Sequence, residues 1–355
     1  MRTVAEHLAA CLEIARPAPP LDVVLLDAVG CVLTEDVVAD LDLPALDLAD
    51  LDGYAVVGAD LSGASGATPV TLEVRDAVRA GDMRPTRLVP GTAMLVDSGA
   101  PLPLGADAVV PWMDTDRGRI RVRVEAAVRA GENVRRRAAD VAAGTTVLPQ
   151  GARVSARHVA LLAGIGRSRV NVRPAPRVVI IPVGDELVEP GQSRDPGDVF
   201  DANGHAMASA VADAGGRAFR VAAVPDEPSV LAETVEDQLV RADVLITTGG
   251  LSIGRGDAVE DVLTPLGPVR FDAVAMTPGR RLGVGTVEST PIFCLPGDPV
   301  SAQIAFETFV RPAVRQIAGR RELHRSCLPA SISTGWHSPP EKREFVPVRL
   351  TGSPS

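Results

Sequence analysis

Beyond residue 176, short apolar runs alternate with helical stretches, and this alternation constrains the fold more than any other feature of the 355 residues. "RVVIIPV" (177–183), "RAFRVAAV" (217–224) and "DVLITT" (243–248) read as strands. Between them, "DANGHAMASAVADAGG" (201–216) and "EPSVLAETVEDQLVRA" (227–242) read as helices, the first stopped by its glycines. A helix to about Leu263 follows, then the strand-like "VRFDAVA" (269–275), "RLGVGTV" (281–287) and "PIFCL" (291–295), and a last helix over 300–318. Strands without polar alternation are buried on both faces, and the connecting helices supply the cover. The pattern predicts an α/β fold with a parallel, doubly wound αβα sheet that binds its ligand at the carboxyl ends of the strands.

The first 176 residues read differently. An amphipathic helix, the proline stretch "RPAPP" (16–20) and a second helix ending near Asp36 come first. From about 40 to 137, short strands with Gly/Pro turns ("TLEVRDAV", "AMLVDSGAPLPLGADAVVPW", "RIRVRVEAAV") make a β-rich module. "TTVLPQGARVSARHVALLAGIG" (145–166) is a turn and a helix ending at Gly164 or Gly166, and "NVRPAP" (171–176) reads as a linker. The expected organisation is multidomain: a helical/mixed linking domain (1–42 and 139–173), a β-rich module (43–138) and the αβα domain (174–322). Residues 323–355 form a polar tail in which "EFVPVRL" (344–350) reads as one strand.

Composition narrows the chemistry. A net charge of −9 and 3% aromatic residues argue against nucleic acid as a partner. The N-terminal helix carries Glu6 and Glu13 and so lacks a signal peptide's apolar core, and no run is long enough to span a membrane. A soluble cytoplasmic protein is expected. Cys11, Cys31, Cys294 and Cys327 form no CxxC pair, and the five histidines lie scattered, so no transition-metal site is visible. Lys342 is the one lysine among 36 basic residues, which removes P-loop, kinase-type and Schiff-base chemistry.

Three loops should meet at the carboxyl edge of the sheet. In "TTGGLSIGRGD" (247–257), Thr248 ends a strand, and Gly249, Gly250, Ser252 and Gly254 offer backbone N–H groups before a helix starts near Gly256. Amides grouped at a helix N-terminus suit an anion, preferably a phosphate; the plainer reading is a tight turn with Asp257 in the first helical turn. "PVGDELVEPG" (182–191) carries Glu186, which taken alone would be a solvated turn residue. In "CLPGDPVSAQ" (294–303), Pro296 and Pro299 bracket Gly297 and Asp298 and lead to Ser301, either a stiff ligand wall or a plain helix cap. The acidic set Glu186, Asp201, Asp257 and Asp298 would then face a phosphate cradle, and like charges so placed call for a cation such as Mg²⁺.

These loops, with "DLDGYAV" (50–56), "SGAPLPLGADAVV" (98–110), "GENVRRRAADV" (131–141) and "DAN" (201–203), resemble the molybdopterin molybdenumtransferases, represented by bacterial MoeA and the gephyrin E domain. The likeness runs to about residue 345. It implies insertion of molybdate into adenylyl-molybdopterin with release of AMP, Mg²⁺ as the metal, a homodimer, and contact with the adenylyltransferase that makes the substrate. On the same basis Asp52, Ser98, Glu186 and Asp257 would be catalytic, with Glu186, Asp257 and Asp140 on the metal. Asp201, Asn203, Thr248, Gly249, Gly250, Ser252, Gly254, Arg280, Pro296, Gly297, Asp298, Pro299 and Ser301 would bind the pterin or its adenylate. Residues 323–355 would be a remnant or the start of a C-terminal β-domain. At least one of Arg135, Arg136 and Arg137 reads as a solvated basic face.

The chain departs from the family pattern at several points. "DLADLDGYA" (47–55) has Leu48 and Ala49 where the family has a polar pair; "RRAAD" (136–140) stands for "RRGED". "TPGRR" (277–281) has Thr277 and Arg280 at the two lysines of "KPGKP", with Arg281 as a substitute for the first, and "PGDP" (296–299) adds Asp298. Losing one cation and gaining one carboxylate matters, since a charge pair near 4 Å is worth about 1–4 kcal/mol. The alternatives are therefore a catalytically impaired pterin-binding or scaffold homologue and, from another class, a molybdopterin adenylyltransferase.

Overall fold

The strand Arg177–Pro182 is buried at every position after its first, as its unbroken apolar run requires. A computed structural model describes residues 1–251 and 258–351. The chain divides into two compact units, one of residues 1–35, 150–159 and 168–355, the other of residues 36–149 and 160–167.

In the first unit six strands form one sheet, in the order Arg217–Arg220, Arg177–Pro182, Val244–Thr248, Thr290–Leu295, Arg281–Val287, Arg270–Ala273. The first four are parallel. The sheet as a whole is mixed, which corrects the all-parallel expectation: Arg281–Val287 runs against both of its neighbours. Only Glu288 and Ser289 join it to Thr290–Leu295, and two residues can close a hairpin but cannot make a crossover. Glu288 takes φ +55° to do so.

Side chains alternate across this sheet with period two. Val178, Ile180, Val244 and Ile246 pack with Met207, Val211, Phe306 and Phe309 on one face. Val179, Ile181 and Leu245 pack with Leu231, Val235, Val259 and Leu263 on the other. The chain leaves Arg177–Pro182 toward one sheet edge and returns on its other side as Val244–Thr248, so the direction of winding switches between these two strands. Clefts open at such points.

Four expectations need correction. The helix Val4–Ile14 forms, but no second helix leads to Asp36; Leu21–Val24 and Val32–Leu33 are strands, and both pair with Arg169–Arg173. "NVR" of the expected linker is thereby part of a sheet, because β-branched residues on three separated segments gain more by pairing than by local helix formation. The last helix is continuous in direction but splits into Pro299–Ala305, a π-helical Phe306–Val310 and Arg311–Ile317. The widened turn lies just before Pro312, whose ring lacks an N–H and crowds the preceding turn. The tail strand shrinks to Arg343–Glu344, paired with Met276–Thr277.

The second unit is built on a five-stranded sheet ordered Ala108–Pro111, Gly53–Val56, Thr92–Val96, Val70–Val78, Arg121–Val124. Gly53–Val56 is buried throughout. A Cβ at Gly53 would lie 1.9 Å from the Val110 carbonyl oxygen, so no other residue fits there. Among the described residues no helix is long and apolar enough to cross a membrane.

Candidate functional site

At the switch between Arg177–Pro182 and Val244–Thr248 lies a cavity of about 550 Å³. Glu186, Asn203, Thr248, Gly249, Gly250, Arg280, Pro296, Gly297 and Ser301, all expected from the sequence, line it. Register explains the convergence: Pro182 lies beside Thr248, and Thr248 beside Leu295, so three strand-end loops start level with one another. Asn203 Nδ2 donates to the Gly297 carbonyl at 2.7 Å, which ties the loop after Leu295 to the first turn of the Ala202–Ala214 helix.

The fold itself accounts for the two described glycines of the loop. Gly249 and Gly250 have φ of +88° and +64°. A Cβ on Gly249 would sit 2.3 Å from the Val183 carbonyl oxygen, and one on Gly250 2.6 Å from Val259 Cγ2. The Gly249 amide donates to the Leu295 carbonyl at 3.1 Å. It is therefore not offered to an anion, contrary to expectation; close packing against the chain's own backbone is what excludes a side chain. Ser252, Gly254 and Asp257 lie outside the described residues.

The acidic set also changes. Asp201 is buried; its Oδ1 accepts from the Gly204 amide at 2.7 Å and its Oδ2 pairs with Arg220 at 3.0 Å. Both oxygens serve the helix cap and the ion pair, so Asp201 does not face the cavity. Asp298 caps the Pro299–Ala305 helix, accepting from the Ser301 amide at 2.8 Å. Ser301, by hydroxyl and amide, holds the Asp298 carboxyl below its ordinary range. The charge that Asp298 adds is thus placed at a helix N-terminus, where negative charge is stabilised. Pro299 occupies the first turn of that helix and lines no part of the cavity.

One carboxylate escaped the sequence reading. Asp226 lines the cavity, and its Oδ1 is buried without a hydrogen-bond partner. Burial, then the charges of Asp185 and Glu186, push its pKa up. In sequence the "PDEP" turn (225–228) carries only a helix-start signal, Pro228 opening the helix Pro228–Leu239. Hydrogen bonds between Pro182, Gly184 and Val224 extend the sheet beyond Arg220 and bring Asp226 to the site. Asn203 Oδ1 and Thr248 Oγ1 are likewise buried and unpartnered. Three orphaned polar atoms around one cavity mark a place that a polar ligand would satisfy.

The cations differ in availability. Arg280 lines the cavity, while Arg281 pairs with Glu260 and so is not simply a free replacement for the lysine absent at Thr277. Among the described residues, no group of three or more His, Cys, Asp or Glu is placed to hold a metal ion. Glu186 and Asp226 are two carboxylates on one cavity, and Mg²⁺ is commonly held by one or two carboxylates completed by substrate phosphates. The donor set fits that ion.

In the second unit, the Ser98 amide donates to Asp52 Oδ1 at 2.7 Å, and Ser98 Oγ donates to the Asp50 carbonyl at 3.0 Å. Asp52 and Ser98 therefore form one exposed constellation. The arginine run is not a free basic face: Arg135 pairs with Asp140, Arg136 with Asp47 at 2.7 Å, and Arg137 with Asp42 at 2.5 Å. Asp140, expected on a metal, is engaged by Arg135.

Residues 2–166 match the family model described as the MoeA N-terminal region (domain I and II), and residues 179–316 match a probable molybdopterin binding domain. The molybdopterin molybdenumtransferase 2 of Mycobacterium tuberculosis is 39% identical over 351 residues, covering 97% of this chain and 87% of the relative. The molybdopterin molybdenumtransferase of Bacillus subtilis is 32% identical, covering 91% and 76%. Among solved structures, the molybdopterin biosynthesis MoeA protein of Pyrococcus horikoshii superposes with a TM-score of 0.74 at 30% identity, covering 90% of this chain and 81% of that one. Agreement of this extent, across both units, places the chain in the molybdopterin molybdenumtransferase family.

Proposed function

We propose that the chain inserts molybdenum from molybdate into adenylyl-molybdopterin and releases AMP, completing a molybdenum cofactor. The observation that carries this reading is the trio of unpartnered buried atoms, Asn203 Oδ1, Thr248 Oγ1 and Asp226 Oδ1, around the strand-end cavity. A ligand rich in phosphate and hydroxyl groups supplies both the donors and the acceptors that this trio lacks.

Asn203, Thr248 and Ser301 would position the pterin adenylate, and Arg280 would pair with its phosphate charge. Glu186 and Asp226 would hold Mg²⁺, with Asp257 as a third carboxylate. When bound, that ion neutralises the phosphoanhydride and the charge developing on the released phosphate. Ordered carboxylates and a fixed cavity act chiefly by positioning and electrostatics, in the manner of other phosphoryl chemistry. Asp52 and Ser98 would contribute from the second unit, and a homodimer is the assembly in which we expect them to act.

The test is direct. Purified protein given adenylyl-molybdopterin, molybdate and Mg²⁺ should release AMP, and EDTA should stop it. Pterin binding without AMP release would identify instead a homologue that binds and does not turn over.

A further inference from the structure

A second cavity, of about 310 Å³, lies at the opposite, amino-terminal edge of the same sheet and has no place in the chemistry above. Arg153, Arg315, Arg320 and Arg321 line it, with Glu322 as the one acidic side chain in its wall. Arg320 reaches Gly215, the residue that ends the Ala202–Ala214 helix just before the strand Arg217–Arg220 begins. The glycine-loop cavity stands at the other ends of these strands.

Two of the four guanidinium groups are held by the backbone but not neutralised. Arg320 Nη2 donates to the Gly30 carbonyl at 3.3 Å, and Arg315 Nε donates to the Glu322 carbonyl. Backbone carbonyls fix the direction of a guanidinium and leave its full charge. Among the described residues none of the four has a carboxylate partner, and Arg320 Nε is buried with no acceptor at all. Asp213, the other acid whose charge acts on Arg315, is occupied by Arg311 at 2.9 Å and Arg325 at 2.7 Å. Burial, and then the charges of neighbouring arginines, push the pKa values of Arg315 and Arg320 down. Arginine does not respond by losing its proton. The carboxyl terminus of the Arg311–Ile317 helix offers about half a negative charge, well short of the surplus.

The chain carries net charge −9 and has many carboxylates with which such cations could have been paired. We infer that this arginine cavity is a second binding site, for a small molecule bearing a phosphate group, separate from the glycine-loop site. Arginine presents paired N–H donors that match two oxygens of one phosphate. The volume lies near the lower limit for small-molecule sites, which suits a compact anion.

Calorimetric titration of the full chain tests this with inorganic phosphate and with AMP, against sodium chloride at matched ionic strength. The double variant R153Q/R321Q alters two exposed side chains and leaves Arg315 and Arg320, with their backbone contacts, in place. Phosphate should bind the parent beyond any chloride effect, and the double variant should weaken it at least tenfold. T248V, at the glycine-loop cavity, should leave that affinity unchanged. AMP binding equally well identifies the phosphate group as the recognised part; AMP binding more tightly adds a nucleoside contact; both sustain the site. Phosphate binding no better than chloride, or binding untouched by R153Q/R321Q and lost in T248V, overturns it. AMP release plays no part in this readout, so failure of the molybdenum reading would leave the result interpretable.

Discussion

The amide of Asp226 donates a 3.0 Å hydrogen bond to Oδ1 of Asp185, joining two strand-end loops through a carboxylate. Asp226 is thereby held where its own carboxyl faces the cavity, with burial and two neighbouring acids raising its pKa. A carboxyl raised in the folded state weakens the fold while ionised. That penalty is present above its folded pKa and is relieved as pH falls through it.

Asp226→Asn should therefore separate stability from activity. At pH 7 the variant should be at least as stable as the parent in urea denaturation, and the difference should shrink on going toward pH 4. AMP release should fall at least tenfold, a loss of about 1.4 kcal/mol in transition-state stabilisation. Undiminished AMP release would remove Asp226 from the catalytic set.

Asp201 should behave in the opposite way. It caps a helix and anchors Arg220, which keeps Glu189 as a second partner at 2.7 Å. Asp201→Ala should cost about 2–3 kcal/mol, combining a lost cap with a partly stranded, half-buried cation. The activity of the folded fraction should stay within about twofold. A large activity loss at unchanged stability would return Asp201 to the ligand-binding set.

Much of this was legible in the sequence, and the reasons differ by residue. The buried strands from Arg177 onward carry an unmistakable pattern, so sheet, helices and the three convergent loops follow from it. Asp226 is not legible as a site residue because its turn carries a helix start signal, and only sheet hydrogen bonds running past Arg220 show where it goes. For Asp201 and Asp298, "DAN" and "PGDP" look equally like caps and ligand walls in sequence; the choice depends on which amides lie within reach. Leu21–Val24 failed as a helix because its partner strand lies almost 150 residues away, and local patterns carry no information on such pairing.

The Asp52–Ser98 contact makes a finer distinction. Ser98 binds Asp52 through its backbone amide and not through its hydroxyl. Ser98→Ala should preserve the Asp52 position and change stability by less than about 1 kcal/mol. Asp52→Asn keeps the shape and removes the charge, and on the proposed mechanism it should lower AMP release at least tenfold. Equal effects of the two substitutions on turnover would mean that the hydroxyl, not the carboxylate, faces substrate.

His7 offers a test of the core that does not involve the site. It is buried, its ring meets Phe309 edge-on at 4.7 Å between centroids, and its Nδ1 has no partner. Burial, and next the charge of Arg2, push its pKa down to about 4. The unfolded chain therefore takes up this proton first, near pH 6.5. Stability from the neutral imidazole is complete above that pH and is lost as pH falls toward 4, by up to about 3 kcal/mol. His7→Leu keeps an apolar group of similar size against Phe309 and has no proton to bind. Urea denaturation of parent and variant between pH 7 and pH 4 should show the parent losing stability more steeply, since carboxylate titration is common to both. Parallel pH profiles would show that His7 takes up its proton without leaving the core.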